Sequence, residues 1–262
     1  MTKSPINVNI VPDLPESTKE EALNPSANLL GQAFRGIAHK VLDPLVRYNI
    51  VKDNEMDDFS EKIRNKTSNI PIEHRDSSKI GLTLKAVEDS SYQLNTEELR
   101  ELFSNLISAS VDSRKNSNLL PSFSTILKDL SAEDARLYKK LFEVVTVASV
   151  NIKLINRKES RVLPFLDNII LNDDGSMSYE PISINTLERL GLIKIEKATL
   201  IQPNFMKNYS DFKKGSNLFY ERALNEVQRQ KSLTPSFNEF DIVEGYITLT
   251  NLGKSLGNVV IY

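Results

Sequence analysis

The chain has 262 residues, 33 Lys and Arg against 35 Asp and Glu, a net charge of −2 and 40% apolar residues, enough to bury one large core or two modest ones. It has no cysteine, which excludes disulfides, thiolate metal ligands and a cysteine nucleophile together. A near-zero net charge supplies no long-range field for nucleic acid or an anionic membrane.

The N-terminal stretch MTKSPINVNIVPDL lacks the basic and apolar regions of a signal peptide. Apolar runs fall short of the roughly 20 residues that span a bilayer, so a cytoplasmic chain is expected. Residues 1–25 carry Pro5, Pro12, Pro15 and Pro25 without periodicity and read as a disordered arm. From Leu29 an apolar stripe begins that includes Leu30, Phe34, Ile37 and Val41 and faces Arg35, Lys40 and Arg47, with Pro44 placed to interrupt it. Ordinary packing explains such a stripe. It also fits a partner's groove or a membrane surface, with those four residues as the contact.

A polar helix is expected across Met56–Asn65 and another across Ile80–Tyr92, with Pro71 breaking the chain between them. Asn95 then serves as N-cap, with Glu98 at the capping-box position, for a helix whose buried face is Leu99, Leu102, Phe103, Leu106 and Ile107. The polar loop Asp112–Asn118 follows, with Arg114 and Lys115 as candidate contacts. Pro121 fits the first turn of a helix that buries Phe123, Ile126, Leu127 and Leu130. Ser131, with Asp134 three residues on, caps one that carries Leu137, Leu141, Val144 and Val145.

Past Val150 the pattern turns to strands. Asn168–Leu171 enters a tight turn at Asn172–Gly175, whose acids lack the ligand alternation of a calcium loop. Ser183 caps a helix through Leu190, Gly191 ends it, Leu192–Ile201 alternates as a strand, and Ile242–Leu249 gives its return strand before Thr250. Helix, strand, return strand and an L-T-x-x-G turn are similar to a winged-helix module, with about forty residues and a helix near Leu218–Val227 inserted.

Three ordered elements resemble the Abi-alpha family, a bacterial family named for abortive infection. They are Leu102, Asn105, Leu106 and Ile107; Pro121, Ser122 and Phe123; and Leu130, Ser131, Asp134 and Ala135. The family's histidine before the proline is Leu120 here, so no role of that histidine carries over. A second patch, Ile182–Ile184 and Leu187–Ile193 with Leu249, Thr250 and Gly253, extends the likeness from about residue 25 to the C-terminus. The resemblance implies defence against bacteriophage.

Catalytic signatures are missing from the sequence. Gly253-Lys254-Ser255 imitates the end of a phosphate-binding loop, but Thr248 stands where its first glycine belongs, and a helix-opening turn is the better reading. The two histidines, His39 and His74, have no zincin spacing, and no G-x-S-x-G elbow occurs. The expected fold is α+β and mainly α: a disordered arm (1–25), a helical domain (26–130) and a winged-helix-like α+β domain (131–262) with an inserted helix. The expected function is non-enzymatic anti-phage defence through a protein of phage or host or a second copy, with no cofactor and no metal. The alternatives are a winged-helix nucleic-acid regulator using Arg189, Lys194 and Lys197, and a peripheral membrane effector. Residues 131–262 hold 17 basic and 16 acidic side chains, a thin balance for a DNA reader.

Overall fold

A computed structural model describes residues 53–215, 217–230 and 237–261; the expectations for residues 1–25, for the Leu29–Val46 stripe with Pro44, and for His39 lie outside them. The chain divides into two compact units, one running to Ala132 and taking up the chain again from Ser255, the other Glu133–Lys254. Nine α-helices and one five-stranded antiparallel sheet are found among the described residues.

In the first unit α1 (Asp53–Ser68), α2 (Ile80–Ser90) and α4 (Phe123–Lys128) pack on α3 (Glu97–Ser110). The stripe Leu99, Leu102, Phe103, Leu106 and Ile107 is buried, as its spacing requires. The cap is one residue later than expected: Thr96 is the N-cap, its carbonyl accepts the Arg100 N–H at 2.9 Å, and its side chain makes no capping hydrogen bond. Likewise Ser122 is the N-cap of α4, so Pro121 stands just before the helix. Phe123, Ile126, Leu127 and Leu130 are buried, and Gln93 Nε2 donates to the Lys128 and Leu130 carbonyls at 2.5 and 3.1 Å, closing the C-terminal end of α4.

The second unit opens with α5 (Ala132–Val144), which buries Leu137, Tyr138 and Leu141 but leaves Val144 and Val145 exposed. The expected apolar face ends there because Val145 turns left-handed, at φ 64°, and redirects the chain into a strand. The sheet has the order β3-β2-β1-β5-β4, with β1 Thr146–Asn156, β2 Arg161–Leu171, β3 Met177–Ser178, β4 Ile193–Glu196 and β5 Glu239–Leu249. One face is apolar: Ala148, Val150, Ile152, Leu166, Ile169 and Leu171 pack on α7 (Pro203–Lys213) and α8 (Leu218–Gln230) through Phe205, Tyr209, Phe212 and Ala223. The insertion thus holds two helices where the sequence indicated one.

Helix α6 (Pro181–Arg189) lies toward the other face, packed on β4 and β2. Its N-cap is Glu180 and its first turn holds Pro181, so Ser183 is an interior, buried residue and not the cap. At its end Leu192 N–H reaches the Leu187 carbonyl and Gly191 N–H the Glu188 carbonyl, both at 2.9 Å, with Gly191 at φ 73°: a Schellman termination. Strand β4 covers only part of the expected Leu192–Ile201. β5 pairs with β4 through four residues and with β1 from Glu239 to Thr248, so it is an inner strand of the sheet.

The L-T-x-x-G turn joins these pieces. Thr250 Oγ1 accepts the Gly253 N–H at 3.0 Å, opening α9 (Asn251–Val260), and donates to the Gly191 carbonyl at 2.5 Å. Tyr138 hydroxyl donates to the Gly253 carbonyl at 2.5 Å in the buried interior. Gly253-Lys254-Ser255 is therefore the opening of a helix.

Candidate functional site

Because side chains alternate across a strand, the residues between Val150, Ile152 and Leu154 on β1 point away from the apolar core. Asn151 and Lys153 form the floor of an open cleft of about 540 Å³ on that opposite face. Its walls are Val162, Pro164, Asp167 and Asn168 of β2, Tyr179 and Pro181, Asn185 and Glu188 of α6, and Ile195 and Lys197 at β4.

The floor is shaped by a bulge. The β1–β2 register shifts on either side of Ile152, and Asn168 takes φ 59°, a conformation asparagine tolerates better than most residues. Its backbone N–H donates to Asn151 Oδ1 at 3.0 Å. That bond fixes which end of the Asn151 amide is oxygen and turns Nδ2 elsewhere. Asn151 is 2% exposed, yet Nδ2 has no hydrogen-bond partner among the described residues, and the same holds for Asn168 Oδ1, Ser149 Oγ and Ser178 Oγ. Buried polar atoms are nearly always satisfied, so these four are the groups on this sheet face for which the surrounding strands and helices supply no partner.

Gly245 on β5, opposite Ser149, adds to this face. A Cβ there would stand 2.6 Å from the Glu196 carbonyl oxygen, 3.3 Å from Ser149 Oγ and 3.7 Å from Asn151 Nδ2. The missing side chain lets the Glu196 carbonyl close against β5, so this point is filled by packing and is not part of the cleft. Two lysines, Lys153 and Lys197, and two carboxylates, Asp167 and Glu188, give the cleft a balanced, polar electrostatic character.

Of the three basic residues named from the sequence, Lys197 lines this cleft, whereas Arg189 and Lys194 do not. Lys194 is ion-paired with Glu196 on its own strand. Arg114 folds back on its loop: its guanidinium donates to the buried Asp112 carboxylate at 2.6 Å and its backbone N–H does so at 3.0 Å. Asn116 Nδ2 ties the same loop to Asp76 at 2.6 Å. The loop is thus a braced turn with Lys115 on it, and the Arg114 hydrogen bond holds the Asp112 carboxyl below the ordinary carboxylate range. Asp112→Ala should speed amide exchange at Ser113, Arg114 and Asn116; unchanged protection there would show that the turn does not depend on that carboxylate. Leu30, Phe34, Ile37 and Val41 lie outside the described residues.

Asp89 is a second buried acid of the first unit with a displaced titration. Burial works to raise its carboxyl, but hydrogen bonds from Lys85 (2.5 Å), Ser124 and Lys128 (3.3 Å) outweigh it and the group sits below the ordinary range. A lowered carboxyl stabilises the fold above its unfolded value, near 3.8, and that contribution disappears as pH falls through the lower folded value. The melting difference between wild type and Asp89→Asn should therefore be constant from about pH 7 to 5 and shrink below about pH 4. A difference that grew on acidification would reverse the assignment.

Asn151, Lys153 and Asn168 carried no signal strong enough to single them out. The one local hint is Asp167-Asn168 inside a strand, two residues that strands disfavour and bulges accept.

No curated protein matches the chain. An uncharacterized protein from the hydrocarbon-degrading marine bacterium Alcanivorax borkumensis aligns over 57% of this chain and 96% of its own, at 15% identity and a TM-score of 0.34, too distant to carry an argument. The family model for abortive infection alpha matches residues 51–260, which takes in both compact units, the Schellman turn after α6 and the Thr250–Gly253 helix opening. The chain belongs to the abortive infection alpha family.

Proposed function

We propose that this protein serves abortive infection by non-covalent recognition, engaging a protein of phage or host or a second copy of itself, and does not catalyse a reaction. Membership of the family ties it to abortive infection. The observation that supports recognition over catalysis is the state of its carboxylates. Every carboxyl group with a displaced titration among the described residues is displaced downward, Asp76, Asp89, Asp112 and Glu244 among them. Each is held by a structural partner: Asp76 by Ser78, Asp112 by Arg114, Glu244 by Lys213 and Thr199. A general acid or base works with a proton affinity raised toward the operating pH, and carboxylates held below their ordinary range by structural partners are displaced the opposite way.

In this reading α6, β4, β5 and α9 act as a winged-helix-like contact module for protein. The Lys194–Glu196 pair and the placing of Lys197 in a cleft with Glu188 favour that partner over a phosphate backbone. Phage plating on cells expressing wild type and the single variants Asp76→Asn, Asp89→Asn, Asp112→Asn and Glu244→Gln tests it. Protection is expected in every variant that remains folded, together with a protein partner or dimer recovered by cross-linking after infection. Protection lost in a variant of unchanged folded fraction, with no cross-linked partner, would place a reacting carboxylate there and overturn the reading.

A further inference from the structure

We infer that the outer edge of β5 beside α8 is a docking site for an extended segment of another protein, one in which apolar and basic residues alternate, bound by strand addition. The inference rests on the backbone of β5 and stands whether or not α6 and β4 also meet a partner. Strand β5 has 11 residues, Glu239–Leu249, but β4 pairs only with Tyr246–Leu249. No strand among the described residues pairs with its outer edge before Tyr246.

Two hydrogen bonds fix which backbone groups that edge presents. The Leu249 N–H donates to the Val145 carbonyl at 2.9 Å, and the β1–β5 register continues from there without a shift, so odd-numbered residues of β5 bond to β1 and even-numbered ones turn outward. The Thr250 N–H, donating to the Leu192 carbonyl at 3.0 Å, gives the same alternation on the β4 side. Phe240 and Ile242 therefore each turn an N–H and a carbonyl to the open edge. The Ile242 N–H accordingly donates to the side chain of its own neighbour, Asp241 Oδ1, at 2.9 Å in an exposed bond that an added strand would exchange for a ladder bond. The sheet's other long free edge, β2 before Ile170, is interrupted by Pro164, a residue that edge strands use against pairing. Strand β5 contains no proline.

This edge is one wall of a groove of about 510 Å³. The other wall is α8, where Tyr220, Leu224 and Val227 fall on one helix face, with Leu224 43% exposed. Phe240 and Ile242 line the groove from the strand, and Phe240 meets Tyr220 edge to face with ring centroids 5.0 Å apart. An unpaired strand edge alongside an apolar helix face takes an extended chain, main-chain bonds giving affinity and alternate side chains specificity. Residues of the added strand opposite Phe240 and Ile242 lie on the groove side and meet apolar surface; those between them lie on the face of Glu239 and Asp241. Arg157 pairs with Glu239 and Lys213 with Glu244, whereas exposed Asp241 has no ion pair among the described residues, so these alternate positions select a basic residue. A second copy added edge to edge would set like carboxylates opposite one another, which favours a different protein as the occupant.

Fluorescence anisotropy with the full-length protein and a labelled, acetylated heptapeptide of alternating valine and lysine tests this. The peptide is expected to bind at one to one, and about tenfold or more tightly than either the valine–glutamate analogue or the same residues in block order. N-methylation of the valines, whose N–H groups face β5 in antiparallel addition, should abolish binding, while N-methylation of the lysines should change it by less than about threefold. Asp241→Lys, at an exposed position, should reverse the preference between the lysine and glutamate peptides. The inference is overturned by no peptide binding at millimolar concentration, by equal binding of the lysine and glutamate peptides, or by a valine-methylated peptide that binds as tightly as its parent. A dimer of the protein alone in sedimentation, dissociated by Ile242→Pro, would assign the edge to a second copy and overturn it as well.

Discussion

Gly253→Ala is expected to destabilise the Glu133–Lys254 unit by about 3 kcal/mol, the upper end for overpacking against a rigid interior. Helix propensity argues the other way, since alanine in place of a helical glycine ordinarily gains up to about 1 kcal/mol. Sterics decide. The added methyl carbon would stand 2.1 Å from the Leu192 carbonyl oxygen and 3.0 Å from its carbon. That carbonyl cannot simply retreat, because it accepts the Thr250 N–H at 3.0 Å and Thr250 Oγ1 at 3.3 Å. Gly81, in the first turn of α2, has nothing within 4 Å of a built Cβ, so Gly81→Ala is the control and should stabilise by about 0.5 kcal/mol. Urea unfolding of both variants measures the difference. If Gly253→Ala behaved like Gly81→Ala, the close approach of α9 to the turn after α6 would be wrong.

That approach also gives a physical reason for two sequence signals that looked separate. Leu190-Gly191-Leu192 reads locally as a helix stop and Leu249-Thr250-Asn251-Leu252-Gly253 as a helix start. Each assignment follows from short-range chemistry: left-handed backbone at Gly191 and a hydroxyl cap at Thr250. What sequence spacing could not express is that the start is packed on the stop, with Thr250 donating to the Gly191 carbonyl across 59 residues.

The same contrast runs through the fold. The α3 stripe was legible because a helix with one buried face writes a 3.6-residue period into the chain. The extent of β1 was not, because six consecutive residues from Val147 to Ile152 are buried on both faces and leave no alternation to read. The exposed Val144 and Val145 then continued the apolar pattern of α5 past its true end. Helix α7 went unseen for another reason: its buried residues Phe205, Asn208, Tyr209 and Phe212 include an asparagine held by Asp173 at 3.0 Å, a polar tooth in an apolar period. The cleft was least legible of all, because its floor and walls come from four separate segments between Asn151 and Lys197 whose juxtaposition only the sheet order supplies.

Phe212→Ala should lower stability by about 3–5 kcal/mol, the range for truncating a fully enclosed aromatic. Phe212 has no exposed surface and packs with Val150 and Ile152 in the core under α7 and α8. Phe212→Leu keeps most of the volume and should lose well under half as much. A loss below about 1 kcal/mol for the alanine variant would show that α7 does not hold the sheet. The consequence reaches the opposite face. Asn151 lies between Val150 and Ile152 on one strand, so the packing that fixes those two residues also fixes the position of the Asn151 amide in the cleft. Amide exchange along Val150–Ile152 should therefore accelerate in Phe212→Ala.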